Sequence, residues 1–310
     1  MDSSLITSIL VATIIAGTPL IIVALGQLIA ERSGVLNLGA EGMMAMGAVA
    51  GFAVTHHTGN PWFGVLAGMA AGMLMSFLFA VVVLTLMGNQ VATGLALSIF
   101  GVGLSAFIGK PYESEILETV GSIRIPLLAD IPVLGPALFD QQILVYFSWA
   151  LFAGIVWFLF RSRPGLVLRA VGESPAAAHS IGYHVISIRY MATLFGGAMA
   201  GIGGSFLSVF YTPLWVEGMV SGRGWIAIAL VVFATWRPFR VLVGAYLFGG
   251  VMVAQLFVQG SGLEINIPSQ FLSSLPYLAT IIVLVIISRD QNTVRLNAPV
   301  SLGLPYRPDA

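Results

Sequence analysis

The sequence predicts an all-α, polytopic transmembrane bundle. Only 8% of the 310 residues are charged and 58% are hydrophobic, whereas a soluble domain carries about 25% charged residues. The uncharged runs are long: Ser3–Ala30 and Gly42–Gly109 contain no Asp, Glu, Lys or Arg, and three more are bracketed by Arg189 and Glu217, by Arg240 and Glu264, and by Glu264 and Arg289. A helix needs roughly 20 apolar residues to cross the hydrocarbon core, and only helices or closed barrels satisfy their backbone there. Barrel strands of about 10 alternating residues do not fit runs of this length.

About nine membrane segments follow from the spacing of polar breaks: residues 4–29, 40–55, 62–87, 91–108, 142–160, 190–210, 224–236, 241–259 and 269–288. The chain reads as one membrane domain over 1–310, with a polar loop at 161–189 and a tail at 289–310. The N-terminus MDSSLITSIL lacks a basic n-region, so the first apolar segment is expected to stay in the mature protein. Cysteine is absent, which removes disulfides, thiol catalysis and Cys-ligated metals.

Arginine placement sets the expected orientation. Loops bearing Arg161, Arg163, Arg169, Arg189, Arg237, Arg240, Arg289, Arg295 and Arg307 hold nine of the 13 Lys and Arg residues; the opposite loops hold Lys110, Arg124 and Arg223. The first set is therefore expected in the cytoplasm with the C-terminal tail, and nine crossings would put the N-terminus outside. The longest outer loop, Lys110–Gln141, carries five carboxylates and four prolines. It reads either as a solvated connector or as a docking surface for an external partner.

Several segments are short or broken. Leu36–Val54 contains four glycines, and residues 224–236 stop at Arg237-Pro238. Short, Gly- or Pro-interrupted segments in both halves of a chain mark substrate paths in transporters. The runs 42–52 (GMMAMGAVAGF) and 195–206 (FGGAMAGIGGSF) share a Gly/Ala/Met texture, which leaves an internal duplication open.

Within the 161–189 loop, Ser174-Pro175-Ala176-Ala177-Ala178 has the chemistry of a helix start and Gly182 that of a helix end. A Ser hydroxyl accepts from a free helix N–H, Pro suits the first helical position, and Gly takes the left-handed position after the last turn. Glu173 sits beside the positive end of that helix. The loop reads as an amphipathic connector or as a helix that fits a groove on a cytoplasmic partner and transmits force.

A second polar cluster spans Gly26–Gly42. Glu31 and Arg32 read as an interfacial pair. Asn37 and Glu41 are four residues apart, so on one helix they would share a face and line a polar path or satisfy a broken backbone. In the third cluster, Trp225 is either an interfacial anchor or a flat face for a planar substrate; Tyr211 and Trp215 carry the same ambiguity. His56 and His57 read as solvated loop histidines, with nothing spaced to complete a metal site. A phosphate-binding loop needs a Lys after its last glycine. The sole lysine, Lys110, precedes Pro111, so energy is expected from a partner. The tail past Arg295 (LNAPVSLGLPYRPDA) carries no motif.

The runs 26–48 (GQLIAERSGVLNLGAEGMMAMGA), 169–185 (RAVGESPAAAHSIGYHV) and 222–238 (GRGWIAIALVVFATWRP) resemble the permease subunits of ATP-binding-cassette (ABC) importers in the ribose/branched-chain amino-acid permease superfamily. More narrowly, they are similar to the shorter permease of nucleoside-type importers that work with a basic-membrane-protein-type lipoprotein. The likeness spans about 5–290. It implies an ATPase-coupling role for Gly172, Glu173, Ser174, Pro175, Ala176 and Ala177. It also implies a translocation path near Asn37, Glu41 and Trp225, with no covalent chemistry and no cofactor in this chain, ATP being bound by partner subunits. The implied partners are a cytoplasmic ATP-binding subunit, a second and paralogous permease, an extracytoplasmic substrate-binding lipoprotein and membrane lipid, without nucleic acid. The implied location is the bacterial inner (plasma) membrane. A simple-sugar permease, an ion-coupled transporter acting without an ATPase, and a structural membrane subunit stay open as alternatives.

Overall fold

The computed structural model describes residues 3–260, 274–275, 278–279, 281–282, 285 and 297–307. Among these, eight of the nine expected segments are helices at nearly the expected bounds: α1 (Ser3–Arg32), α2 (Ala40–Thr58), α3 (Pro61–Ala80, continued as a π-helix to Thr85), α4 (Gln90–Gly109), α6 (Ile143–Arg161), α9 (Val185–Ser205, continued as a π-helix to Tyr211), α10 (Arg223–Phe233) and α11 (Pro238–Gly260). The ninth, 269–288, falls mostly outside the described residues. Among the described residues, six helices are long and apolar enough to cross a membrane, by length and composition; α2 and α10 are not among them. Among the described residues, three short α-helices complete the order: α5 (Leu134–Phe139) in the loop between α4 and α6, and α7 (Arg163–Glu173) and α8 (Pro175–Ser180) in the 161–189 loop.

Backbone-to-backbone packing of α2, α3 and α9 forms the centre. A side chain at Gly47 would meet the Gly201 carbonyl at 2.4 Å, one at Gly201 would meet Gly68 O at 2.1 Å, and one at Gly204 would meet Met44 O at 2.0 Å. Small residues let membrane helices approach this closely. The likeness between 42–52 and 195–206 therefore has a direct physical reason: the two runs pack against each other. Hydroxyls add bonds at the same contacts, with Ser205 Oγ donating to Gly47 O (3.2 Å) and Ser208 Oγ to Ala48 O (2.7 Å). On the other side of α2, Ser98 and Ser105 of α4 donate to Leu38 O and Ala45 O at 2.8 and 2.9 Å.

These contacts fix depth. In the antiparallel α2–α3 pair, Gly64 faces Thr55 and Gly51, and Gly68 faces Gly47. Continuing that pairing puts Glu41, at the start of α2, level with the middle of the 61–85 span. Helix α2 thus begins inside the bundle. The turn at residues 33–39 carries the chain to that depth from the end of α1, a 30-residue helix about 45 Å long.

The loop between α4 and α6 folds on itself. Two-residue strands β1 (Ile123–Arg124) and β2 (Asp140–Gln141) pair antiparallel, Ser122 donates to Asp140, and Arg124 pairs with Asp130. Leu117 N bonds Pro213 O at 2.8 Å, which ties this loop to the one after α9.

Candidate functional site

Glu41 organises the middle of the bundle. Its Oε1 accepts from Gly222 N at 2.8 Å and its Oε2 from Gly224 N at 2.7 Å. Gly222 is the N-cap of α10, so a carboxylate from the start of one half-helix caps the start of another. The free N–H groups and the positive end of the dipole both favour an anion there. The approach requires glycine: a Cβ at Gly224 would lie 2.5 Å from Glu41 Cα. Ser221 (φ 50°) and Gly222 (φ 80°) occupy the left-handed region, which turns the chain into α10.

The other end of α10 is held by a second carboxylate. Thr235 and Trp236 also take positive φ, 50° and 52°, and Trp236 Nε1 donates to Glu31 Oε2 at 2.7 Å. Arg32 donates to Trp236 O at 2.7 Å and to Asn297 O at 3.1 Å. Glu31 and Arg32 are thus not paired with each other, contrary to the sequence reading. The indole donor and the backbone carbonyls offer each group a better-placed partner. Glu31 and Glu41 flank the 33–39 turn and pin α10 at both ends.

Asn37 and Glu41 do not share a helix face. Helix α2 starts at Ala40, and Asn37 Oδ1 accepts from Gly39 N at 2.8 Å. This side-chain turn competes with helix and delays its start. Asn37 is buried, with Nδ2 3.6 Å from Met43 Sδ. Trp225 is half-buried in α10 and packs against the main apolar core.

A cavity of about 200 Å³ opens where Glu41, Ala45 and Ala48 of α2 face Ser105 of α4 and the loop carrying Trp215 and Ser221. Its aromatic wall is Trp215, 1% exposed, over a Gly109 that has no room for a Cβ. The sequence left Trp215 as ambiguous as Trp225; the structure puts Trp215 on the cavity. His56 and His57 are exposed on the last turn of α2, where His57 Nε2 lies 3.0 Å from the Tyr112 hydroxyl. No metal-binding cluster is present among the described residues.

At the opposite end lies an arm built of α7 and α8. Ser162 caps α7 by accepting from Gly165 N at 3.1 Å. Ser174 caps α8 by accepting from Ala177 N at 3.3 Å, as its sequence position predicts. The predicted stop also holds: Gly182 has φ 94°, with Gly182 N bonding His179 O (2.8 Å) and Tyr183 N bonding Ala178 O (3.1 Å), the paired bonds of a Schellman ending. Glu173, Ser174, Ala176 and Ala177 are exposed and Pro175 is half-exposed. Gly172 faces inward: a Cβ there would sit 2.1 Å from Arg32 O. It is the join between the arm and the 31–34 turn. Beside the arm, α6, α7 and α9 line a larger, half-open apolar cavity of about 760 Å³ with Arg163 and Tyr183 in its wall.

Residues 9–287 match the family described as "Branched-chain amino acid transport system / permease component". The chain is 42% identical to the "Putative glucose ABC transporter permease protein TsgC13" of Haloferax volcanii, over 98% of both chains. It is 36% identical to the guanosine ABC transporter permease protein NupQ of Bacillus subtilis, over 99% of this chain and 98% of that one. It is 33% identical to the nucleoside ABC transporter permease protein NupC of Lactococcus lactis, over 87% and 89%. A family match across nearly the whole length, on a multi-pass helical bundle with a discontinuous centre, means that this chain belongs to the branched-chain amino acid transport system permease family.

Proposed function

We propose that this family member is the transmembrane permease subunit of an ABC importer for nucleosides or related bases. It acts in the plasma membrane and performs no covalent chemistry of its own. The observation that carries the reading is the capped helix α8, held out on a two-helix arm whose buried joint, Gly172, touches the turn that positions α10. A partner that pushes on α8 moves the 31–34 turn, and through Glu31 and Trp236 it moves α10 and the cavity at Glu41. Access then alternates by relative motion of helices around a central site. The apolar walls of the cavity, the Trp215 ring and a few polar groups suit a planar, partly polar solute.

ATP is bound by a cytoplasmic partner, for which Glu173, Ser174, Pro175, Ala176 and Ala177 form the contact and Gly172 the joint. The arginine-rich loops and the C-terminal tail face the cytoplasm. The outer loop, with exposed Ile116, Leu127 and Leu134 among its carboxylates, receives a substrate-loaded lipoprotein. A second, paralogous permease completes the path, and the whole chain acts as one membrane domain. Asn37 supports the turn before α2, Glu41 lines the path and caps α10, and Trp225 braces α10 from the core side.

A glucose permease is the second reading, favoured by the name of the Haloferax relative. Competition between labelled guanosine and glucose for uptake by the reconstituted complex separates the two. Guanosine uptake that excess glucose leaves unchanged supports the nucleoside reading; glucose uptake that guanosine leaves unchanged overturns it.

A further inference from the structure

The tail, which carries no sequence motif, is one of the best-tied segments of the bundle. Ser301 donates from N and Oγ to the Gly172 carbonyl at 3.0 and 2.6 Å. Gly303 N bonds Gly34 O at 3.1 Å, and Asn297 O receives Arg32. Arg189, in the first turns of α9 and 1% exposed, spends each of its nitrogens here: Nε donates to Ser33 O (3.1 Å), Nη1 to Leu304 O (3.2 Å) and Nη2 to Ser301 Oγ (2.9 Å). Arg124–Asp130 is the one salt bridge among the described residues, so neutral oxygens hold the buried guanidinium. Burying a cation is costly unless its donors are satisfied, and here the tail supplies two of the three acceptors. Tyr306 closes the arrangement. Its ring lies 6.0 Å from the Arg189 guanidinium and 6.3 Å from the His179 ring of α8, and it packs on Val171, Ala178 and Val185.

We propose that residues 297–307 form a strap that makes the α7–α8 arm and the 31–34 turn move as one body, with Arg189 as its positioning residue. This rests on the reading that α8 receives force from an ATPase. The strap touches all the parts that must move together: the end of α1, the last turn of α7, α8 and the start of α9. Gly172 is the crossing point: the Cβ position abuts Arg32 O and the carbonyl accepts both Ser301 bonds. Removing the strap leaves the arm free to rock without carrying α10.

Two experiments on the full-length chain in its reconstituted complex test this. Ser301→Arg sets a second guanidinium against Arg189 and displaces the tail. ATPase co-purification and receptor-stimulated ATP hydrolysis are expected to persist while substrate carried per ATP falls about fivefold, within the range over which coupling residues act. An unchanged ratio overturns the strap. Failure of the unsubstituted chain to co-purify with an ATPase overturns the coupling reading as well, and so is distinguishable.

The absence of native cysteines permits a second test that tolerates misfolding of Ser301→Arg. In a His179→Cys/Tyr306→Cys chain, a short reducible bis-thiosulfonate cross-linker is expected to join α8 to the tail across the space now filled by two rings 6.3 Å apart, and uptake by the cross-linked protein should match that of the same protein after reduction. A pair that the cross-linker does not join, or uptake that cross-linking stops and reduction restores, overturns the proposal.

Discussion

The carboxylate of Glu41 lies 2.7 Å from the amide nitrogen of Gly224, 183 residues further along the chain. With the Gly222 bond, it satisfies the start of a helix that begins level with the middle of the bundle. Glu41→Ala strands both donors, and each unsatisfied buried group costs about 1–3 kcal/mol. Glu41→Gln keeps one acceptor oxygen. Thermal unfolding of the purified chain in detergent should rank wild type above Gln and Gln above Ala. Equal midpoints for Ala and Gln would remove the capping role.

Gly201 and Gly103 offer a matched pair. A Cβ at Gly201 would press on Gly68 O at 2.1 Å, whereas one at Gly103 meets nothing within 4 Å. Gly201→Ala is expected to destabilise by about 1–3 kcal/mol through overpacking. Gly103→Ala should be neutral or stabilising by up to about 1 kcal/mol through helix propensity. Unfolding midpoints of the two proteins check the contrast, and a tolerated Gly201→Ala would refute the close α2–α3–α9 centre.

Trp236→Phe removes the indole donor to Glu31 while keeping an aromatic ring. The stranded carboxylate should cost about 1–3 kcal/mol. Glu31→Gln, with Trp236 native, retains an acceptor for the indole and should cost less than Trp236→Phe. A Trp236→Phe protein with wild-type stability and wild-type uptake would mean that α10 is not pinned there.

Much of this was legible before the structure because the signals were local. Uncharged runs set the helices, and Ser174, Pro175 and Gly182 encode a start and a stop within nine residues, so α8 lies where its caps put it. What escaped was long-range. Asn37 and Glu41 looked like helix neighbours because spacing alone does not reveal that the Asn37 side chain folds back on Gly39. The partners of Glu41 lie beyond residue 220, and those of Arg189 lie at 33, 301 and 304. An arginine counted as one more basic loop residue became the hub of the tail because nothing in its own neighbourhood marks that use.

Glu173 and Ser174 stand at the exposed tip of the arm. Ser174→Ala removes the cap bond and should weaken α8 by about 1 kcal/mol, lowering uptake with little change in unfolding temperature. Glu173→Arg reverses the charge at the tip and should reduce ATPase co-purification as well as uptake. Normal co-purification and uptake by Glu173→Arg would place the ATPase contact elsewhere.

The most direct test of the permease reading is uptake of labelled guanosine into vesicles holding this chain with the proposed second permease and receptor, with and without the proposed ATP-binding subunit. Uptake that requires both that subunit and ATP is the predicted result. Uptake that persists without the subunit and follows an imposed ion gradient would contradict it.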